Sequence, residues 1–366
     1  MNFDSEILWG WNPFFESFYL KETESLKDPC PLRVVSELSG VYRVFCPRLN
    51  KEFFAKVSGK LRWAADDRES LPVVGDWVFC DLAVESKDTL RIEGVLPRKS
   101  LLKRKAPTDR GGNQIFAANV EEVWIVSSLD NDFSESRMDR ILSLVSEGGA
   151  IPRMVLSKID LVSAEDQSNW LLRLADRFPG IPVHCLSNLD PESVAELRKN
   201  LKSALSFVVV GSSGVGKSTL INGLLGRHYL KTQAAREDDS KGRHTTTNRE
   251  LLQVPGGALL IDTPGVREWQ LTDDSEVSGG FQDVEALAVK CRFSDCKHAK
   301  EPGCQVQAAL ANGSLDHGRW NSYLKLHREI QHQSRKGSKA LQSEQKKKWK
   351  KIHQEVRKKN RRPRED

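Results

Sequence analysis

The chain has 366 residues, 39% of them hydrophobic and 29% charged, with 25 Gly and 15 Pro; this fits two or three globular domains of ~100–200 residues each and excludes a collagen-like or wholly disordered protein. No apolar run reaches the ~18 residues of a membrane helix, and the start, Met1-Asn2-Phe3-Asp4-Ser5-Glu6, lacks the marks of a signal peptide, so a cytoplasmic protein with no membrane partner is expected. The net charge of +6 is a property of one end: residues 335–366 hold 14 Lys/Arg against 4 Asp/Glu, whereas 1–334 hold 42 against 46.

Residues 1–33 form an arm with Trp9, Trp11, Phe14, Phe15, Phe18 and Tyr19, too aromatic for a linker and expected to dock on a neighbouring surface. Residues 34–110 show short β-branched and aromatic runs between turns: Gly40–Phe45, Glu52–Val57, Asp76–Asp81 and Leu90–Leu96. Several alternate with period two, which predicts an all-β module of about five strands. Periodicity alone does not choose between an oligonucleotide-binding barrel and another small β fold. From 115 to 278 apolar strands alternate with helical stretches: strand Val120–Ser127, helix Ser136–Glu147, strand Arg153–Leu156, helix Gln167–Phe178, strand Val183–Cys185, helix Pro191–Leu205, and strands Phe207–Val210 and Ala258–Ile261. That pattern predicts an α/β domain built on a parallel sheet. Residues 279–334 carry Cys and His and then read as helical around Ser314–Arg335, and 335–366 are the basic tail. Such a charge block binds polyanions, nucleic acid above all, in a salt-sensitive way that is blind to sequence.

Gly211-Ser212-Ser213-Gly214-Val215-Gly216-Lys217-Ser218-Thr219 fits G-x-x-x-x-G-K-[ST] between an apolar strand and a helical run. Glycines let successive backbone N–H groups curl around phosphate at a helix N-terminus, Lys217 reaches the β/γ oxygens, and Ser218 reaches Mg²⁺. Asp262-Thr263-Pro264-Gly265 follows at a strand end, 51 residues after Gly211. Asp262 is then a Mg²⁺ residue, and the Gly265 amide meets the γ-phosphate. Between the two lies Gly242-Arg243-His244-Thr245-Thr246-Thr247, suited to a switch loop in which one threonine, Thr246 for choice, closes on Mg²⁺.

Guanine specificity needs a carboxylate facing N1–H and the exocyclic amine, usually from Asn-Lys-x-Asp. Here Ser157-Lys158-Ile159-Asp160 precedes the phosphate loop, with Ser157 where Asn is expected. Asp160 selects guanine and the Lys158 stem covers the ring. Ser157 lacks the amide that would tie the loop to its neighbours, so a lowered nucleotide affinity is expected. Ser187-Asn188 resembles the loop whose backbone amide touches guanine O6. The order is base loop, second base loop, phosphate loop, switch one, switch two: a circular permutation of the usual GTPase.

Cys291-x4-Cys296-x-His298-x5-Cys304 offers three thiolates and an imidazole, the set for one closed, structural Zn²⁺ in a small helical module. Cys30, Cys46, Cys80 and Cys185 are scattered and read as ordinary buried residues.

Over about residues 34–330 the chain resembles the ribosome small-subunit-dependent GTPase family, the circularly permuted GTPases of late small-subunit assembly. The likeness rests on Gly75-Asp76-Trp77-Val78, Met138-Asp139-Arg140, the permuted motifs, Gly242–Thr247 and Asp262–Gly265. It implies an OB-like barrel before the GTPase domain and a zinc module after it. It also implies GTP hydrolysis stimulated by the small ribosomal subunit, rRNA binding with departure on hydrolysis, and a monomer that exchanges GTP and GDP. After Gly265 stands Val266, which cannot orient water, so catalysis falls to another group or to a partner. His244 is the best candidate, in agreement with the resemblance. Two rival readings stay open at this point: a nucleotide-gated RNA-binding assembly chaperone with negligible hydrolysis, which Val266 and Ser157 allow, and a helicase- or transporter-type ATPase, which Asp160 disfavours.

Overall fold

Asn12 starts the first helix, since its Oδ1 accepts from Phe14 N at 3.1 Å and Pro13 occupies the first turn. This is the opening of a computed structural model that describes residues 7–65, 68–84, 89–105, 113–129, 133–212, 214–230, 249–262, 281–293, 295–299, 301–321 and 323–324. The chain divides into two compact units, Met1–Lys103 with Ile115–Trp269, and Arg104–Gln114 with Gln270–Asp366.

In the first unit, α1 (Pro13–Glu22) and the residues before it dock on the β module. Trp9 stacks on Phe45 at 4.0 Å, Trp11 meets Trp77 edge-on at 4.7 Å, and Phe15 lies 6.2 Å from Trp77. The surface the arm was expected to need is therefore the module next to it. The module comprises β1 (Pro29–Leu38), β2 (Val41–Cys46), β3 (Lys51–Val57), the short helix α2 (Gly59–Ala64), β4 (Trp77–Asp81), β5 (Thr89–Ile92) and β6 (Gly94–Val95). The ladder order is β6-β4-β1-β2-β3-β5, antiparallel except for β3 with β5. Leu32, Val34, Tyr42, Val44, Ala55, Val78, Leu90 and Ile92 fill its interior.

Two departures from the sequence reading have physical causes. β1 begins at Pro29, inside the stretch read as arm, because its first half pairs with β4 and its second with β2. Buried on both faces, it shows no alternation, and its prolines speak against a strand. The run Leu90–Leu96 is two strands: β5 joins β3, whereas β6 joins β4, with Gly94 pressed so close to the Phe79 ring that a Cβ would lie 2.4 Å from it.

β7 (Leu101–Lys105) and β8 (Asn113–Ala118) form a two-stranded ribbon. The α/β sheet then follows: β9 (Glu122–Ser128), α3 (Glu135–Glu147), β10 (Ile151–Ser157), α4 (Ala164–Arg177), β11 (Val183–Cys185), α5 (Pro191–Lys199), β12 (Ser206–Gly211), α6 (Lys217–Leu225), β13 (Glu250–Gln253) and β14 (Leu259–Asp262). Ser134, Ser163 and Asp190 cap α3, α4 and α5 through their side chains. α5 stops at Lys199, not Leu205, with Asn200 at its C-cap.

The sheet order is β11-β10-β9-β12-β14-β13, parallel apart from β13. Helices on the sheet explain why Val123–Val126 and Phe207–Val210 read as unbroken apolar runs. Trp124 stacks on Phe207 at 4.5 Å in the core. Parallel strands bring the loops after β9, β10, β11, β12 and β14 to one edge, where α/β sheets bind ligands. β13 also pairs with β1 at Ser36↔Glu250, so the module and the α/β sheet share one continuous sheet.

The second unit holds α7 (Gln282–Ala288) and α8 (Gln305–Ala311), with Phe281, Val284, Val306, Ala309, Leu310, Leu315 and Trp320 buried. Arg319 pairs with Asp283 at 2.6 Å and lies over the Phe281 ring. The helix expected around Ser314–Arg335 is described only as far as residue 324, and the tail 335–366 lies outside the described residues. Among the described residues no helix is long and apolar enough to cross a membrane.

Phe15 is 2% exposed in the arm–module cluster. Phe15→Ala is expected to cost about 3 kcal/mol of stability, read as a lowered urea midpoint by tryptophan fluorescence.

Candidate nucleotide site and metal centre

Gly211 ends β12 with φ +149°, and a Cβ there would lie 2.2 Å from the Val126 carbonyl oxygen. Only glycine lets the chain leave the sheet so close to β9. Gly216, at φ +91°, is the N-cap of α6 and has no side chain to cap with, which leaves the first N–H groups of the helix facing outward. Lys217 folds over the loop and donates from Nζ to the Gly211 carbonyl at 2.8 Å and to the Ser212 carbonyl. Ser218 and Thr219 follow on the first turn of α6, and Val215 is buried beneath the loop. Gly214 takes φ +86°, and Ser213 lies outside the described residues.

β10 and β12 flank β9 on opposite sides, in register at Ser157↔Ser128 and Gly211↔Val126. The base loop and the phosphate loop therefore leave neighbouring strand ends although 54 residues of chain separate Ser157 from Gly211. Ser157 corrects the sequence reading. It is fully buried, and its Oγ donates to the Val215 carbonyl of the phosphate loop at 2.6 Å, with the Ser127 carbonyl a longer 3.3 Å away. The tie expected to be lost with the amide is made by a hydroxyl.

A second tie comes from Asn188, whose Nδ2 donates to the Gly216 carbonyl at 3.1 Å. A third joins the two base loops: Ser187 Oγ donates to Asp160 Oδ1 at 2.5 Å and accepts from Leu189 N at 3.2 Å. Lys158 takes a left-handed φ of +58° that turns the chain into the short 3-10 segment Ile159–Leu161 carrying Asp160. Ser157, Lys158, Asp160, Ser187, Asn188 and Gly211–Thr219 thus belong to one set of stitched loops, apart from the undescribed Ser213.

Asp262 ends β14 and is buried, and its Oδ2 has no hydrogen-bond partner among the described residues. Burial, and then the charge of Glu250, push its carboxyl up to about 6. A buried carboxylate oxygen without a donor fits a divalent cation. His244, Thr246, Gly265 and Val266 lie outside the described residues. Two residues that the sequence reading passed over enter here. Arg137, on α3, donates to Ser212 Oγ of the phosphate loop; Glu250 sits directly opposite Asp262 on β13. No motif marks either one.

In the second unit Cys291 Sγ and Cys304 Sγ are 3.9 Å apart and each is 3.5 Å from His298 Nδ1. With Cys296, the four donor atoms all lie within 4.8 Å of one another. A tetrahedral metal with ~2.3 Å bonds to sulfur holds its thiolates about 3.8 Å apart, which is the spacing found. His298 takes φ +56°, and its carbonyl accepts from Gln307 Nε2 of α8 at 2.6 Å, so the loop bearing two of the ligands is anchored to the helix that begins at a third. The cluster can hold a metal ion.

A family model described as RsgA GTPase matches residues 95–272. The small ribosomal subunit biogenesis GTPase RsgA 1 of Oceanobacillus iheyensis is 46% identical over 307 residues, 83% of this chain and 86% of that protein. The chain belongs to the RsgA GTPase family. The small ribosomal subunit biogenesis GTPase RsgA of Opitutus terrae is 40% identical over 360 residues, covering 94% and 95% of the two chains. Among solved structures, YjeQ from Thermotoga maritima superposes with a TM-score of 0.61 at 28% identity, over 82% of this chain and 98% of that one. YloQ, described as a circularly permuted GTPase, gives 0.61 at 23% identity, over 84% and 97%, a likeness of fold. As a member of the RsgA GTPase family the protein hydrolyses GTP.

Ser157→Ala leaves the buried Val215 carbonyl without its donor, a loss of about 1–3 kcal/mol. The expected result is roughly tenfold weaker binding of a fluorescent GDP analogue; an unchanged titration would show the tie to be idle.

Proposed function

We propose that the protein is a GTPase of late small-subunit maturation, stimulated by the small ribosomal subunit, which binds rRNA and leaves on hydrolysis. The observation that carries the nucleotide half of this reading is the pair of hydrogen bonds from Ser157 and Asn188 to the phosphate-loop carbonyls. They tie the loop that carries Asp160 and the loop that carries Lys217 to each other, which supports binding of a single guanine nucleotide across both. The ribosomal half is supported by relatives named for small ribosomal subunit biogenesis.

Asp160 reads the guanine edge while Ser187 holds its carboxylate in place, Lys158 covers the ring, and the Ser187-Asn188 backbone meets O6. Gly211 to Thr219 wrap the phosphates, with Lys217 on the β/γ oxygens. Ser218, Thr246 and Asp262 would hold Mg²⁺, which when bound neutralises charge developing on the β/γ bridge, and the Gly265 amide senses the γ-phosphate. His244 positions or deprotonates the attacking water once the ribosomal subunit orders its loop. One Zn²⁺ on Cys291, Cys296, His298 and Cys304 is structural, because four protein ligands leave no open position. Contact with rRNA falls to an OB-like barrel at 34–110, the zinc module at 279–334 and the basic tail at 335–366. The arm 1–33 and the GTPase domain 115–278 complete a cytoplasmic monomer with no membrane partner.

Multiple-turnover phosphate release measured with purified small and large subunits separately tests the reading. Stimulation by the small subunit alone is expected, and equal rates with both would overturn it. His244→Ala is expected to lower the stimulated rate about 10²-fold or more with subunit binding retained in a sedimentation assay. Deleting 335–366 is expected to flatten the salt dependence of that binding.

A further inference from the structure

Glu250 is the second described residue after the stretch that holds the candidate switch loop, and it touches three parts of the first unit at once. From β2 of the module, Arg43 Nη1 donates to Glu250 Oε1 at 2.7 Å. From the segment after α6, the phosphate-loop helix, the Tyr229 hydroxyl donates to Glu250 Oε2 at 2.8 Å. On the neighbouring strand Asp262 is its ladder partner, so the two carboxylates share one face of the sheet with Cβ atoms about 4.5–5.5 Å apart. Its neighbour Arg249 is held too, with Nη1 donating to the Ile115 carbonyl of β8 at 2.6 Å. A ladder pair with Ser36 of β1 closes the set.

Ordinary sheet edges do not need this arrangement. Two carboxylates side by side repel, and a cation would naturally sit between them. Here the cation that Glu250 engages comes from the β module, and the same guanidinium is shared with Glu52 on the module's outer face, at 3.0–3.1 Å. Besides the β1–β13 ladder, a partly buried ion pair therefore joins the module to β13, the strand paired with the one that ends in Asp262.

We propose that Glu250 is a positioning residue and that the Arg43–Glu250 pair couples the β module to Asp262 at the Mg²⁺ end of the proposed GTPase site, so that docking of the module is felt there. The inference rests on the proposed stimulation by the small subunit. A displacement of β2 moves the Glu250 carboxylate, and Glu250 sits where the Asp262 strand and Tyr229 meet. Phosphates of a docked RNA compete with Glu52 and Glu250 for the Arg43 guanidinium, which gives the partner a chemical means of shifting the pair.

The test is a double-mutant cycle in the full-length chain with Arg43→Ala, Glu250→Gln and the double variant. It is read on GTP turnover with and without small subunits, on fluorescent GDP affinity and on the urea midpoint. Each single change is expected to lower the ratio of stimulated to unstimulated turnover about tenfold, a size usual for coupling between sites. The double variant is expected to lose no more than either single one, because the pair acts as a unit. GDP affinity and the urea midpoint are expected to stay near the wild-type values, as befits a half-exposed ion pair. Stimulation in the wild type with undiminished ratios in the variants, or strictly multiplying losses, would overturn the coupling. A wild type that the small subunit does not stimulate would overturn the proposed function instead, so the two failures are distinguishable.

Discussion

The site depends on two backbone carbonyls. The Val215 and Gly216 carbonyl oxygens accept from Ser157 Oγ and Asn188 Nδ2. A phosphate loop directs its N–H groups toward the anion, which obliges its carbonyls to find donors elsewhere. Because those donors come from the loops after β10 and β11, those loops and the G-x-x-x-x-G-K-S loop are bound to each other directly. Ser187 extends the same logic to Asp160, fixing one carboxylate oxygen.

Chain order is immaterial to this arrangement because spatial order is set by the sheet. β9 sits between β10 and β12, and parallel pairing sends the loop of each strand to the same edge whichever strand is synthesised first. What the permutation does change is connectivity. It places the β module ahead of β9 in the chain and lets β1 pair with β13, so a strand next to the switch stretch is hydrogen-bonded to the module rather than exposed as a sheet edge.

The parts of this design that were legible in the sequence share a physical property: they are short segments whose chemistry is local. Gly211 to Thr219, Ser157 to Asp160 and Cys291 to Cys304 each work through residues a few positions apart, and spacing alone exposes them. β1 was not legible as a ten-residue strand because burial on both faces erases alternation and Pro29 and Pro31 argue against a ladder. β13 escaped because four residues ending in Gln253 carry no period. Ser157 was misjudged for a different reason: whether a hydroxyl replaces an amide depends on how near the Val215 carbonyl lies, and that distance is a property of the fold. Glu250 had no signal at all, since its partners lie 207 positions back in Arg43 and 21 positions back in Tyr229.

The second unit shows the opposite balance between local and distant forces. α7 and α8 have seven residues each, well short of the roughly 12–15 at which an isolated helix becomes even marginally stable. Among the described residues their core includes Phe281, Val284, Cys304, Val306, Ala309, Leu310, Leu315 and Trp320, and the buried Arg319 pairs with Asp283. The cysteine and histidine cluster lies at the start of α8, on the loop that joins it to α7, and a metal there would close that loop and cap a helix in one step. The left-handed backbone of His298 then has a reason to be tolerated: it costs about 1 kcal/mol or more, small beside the ligation that it permits.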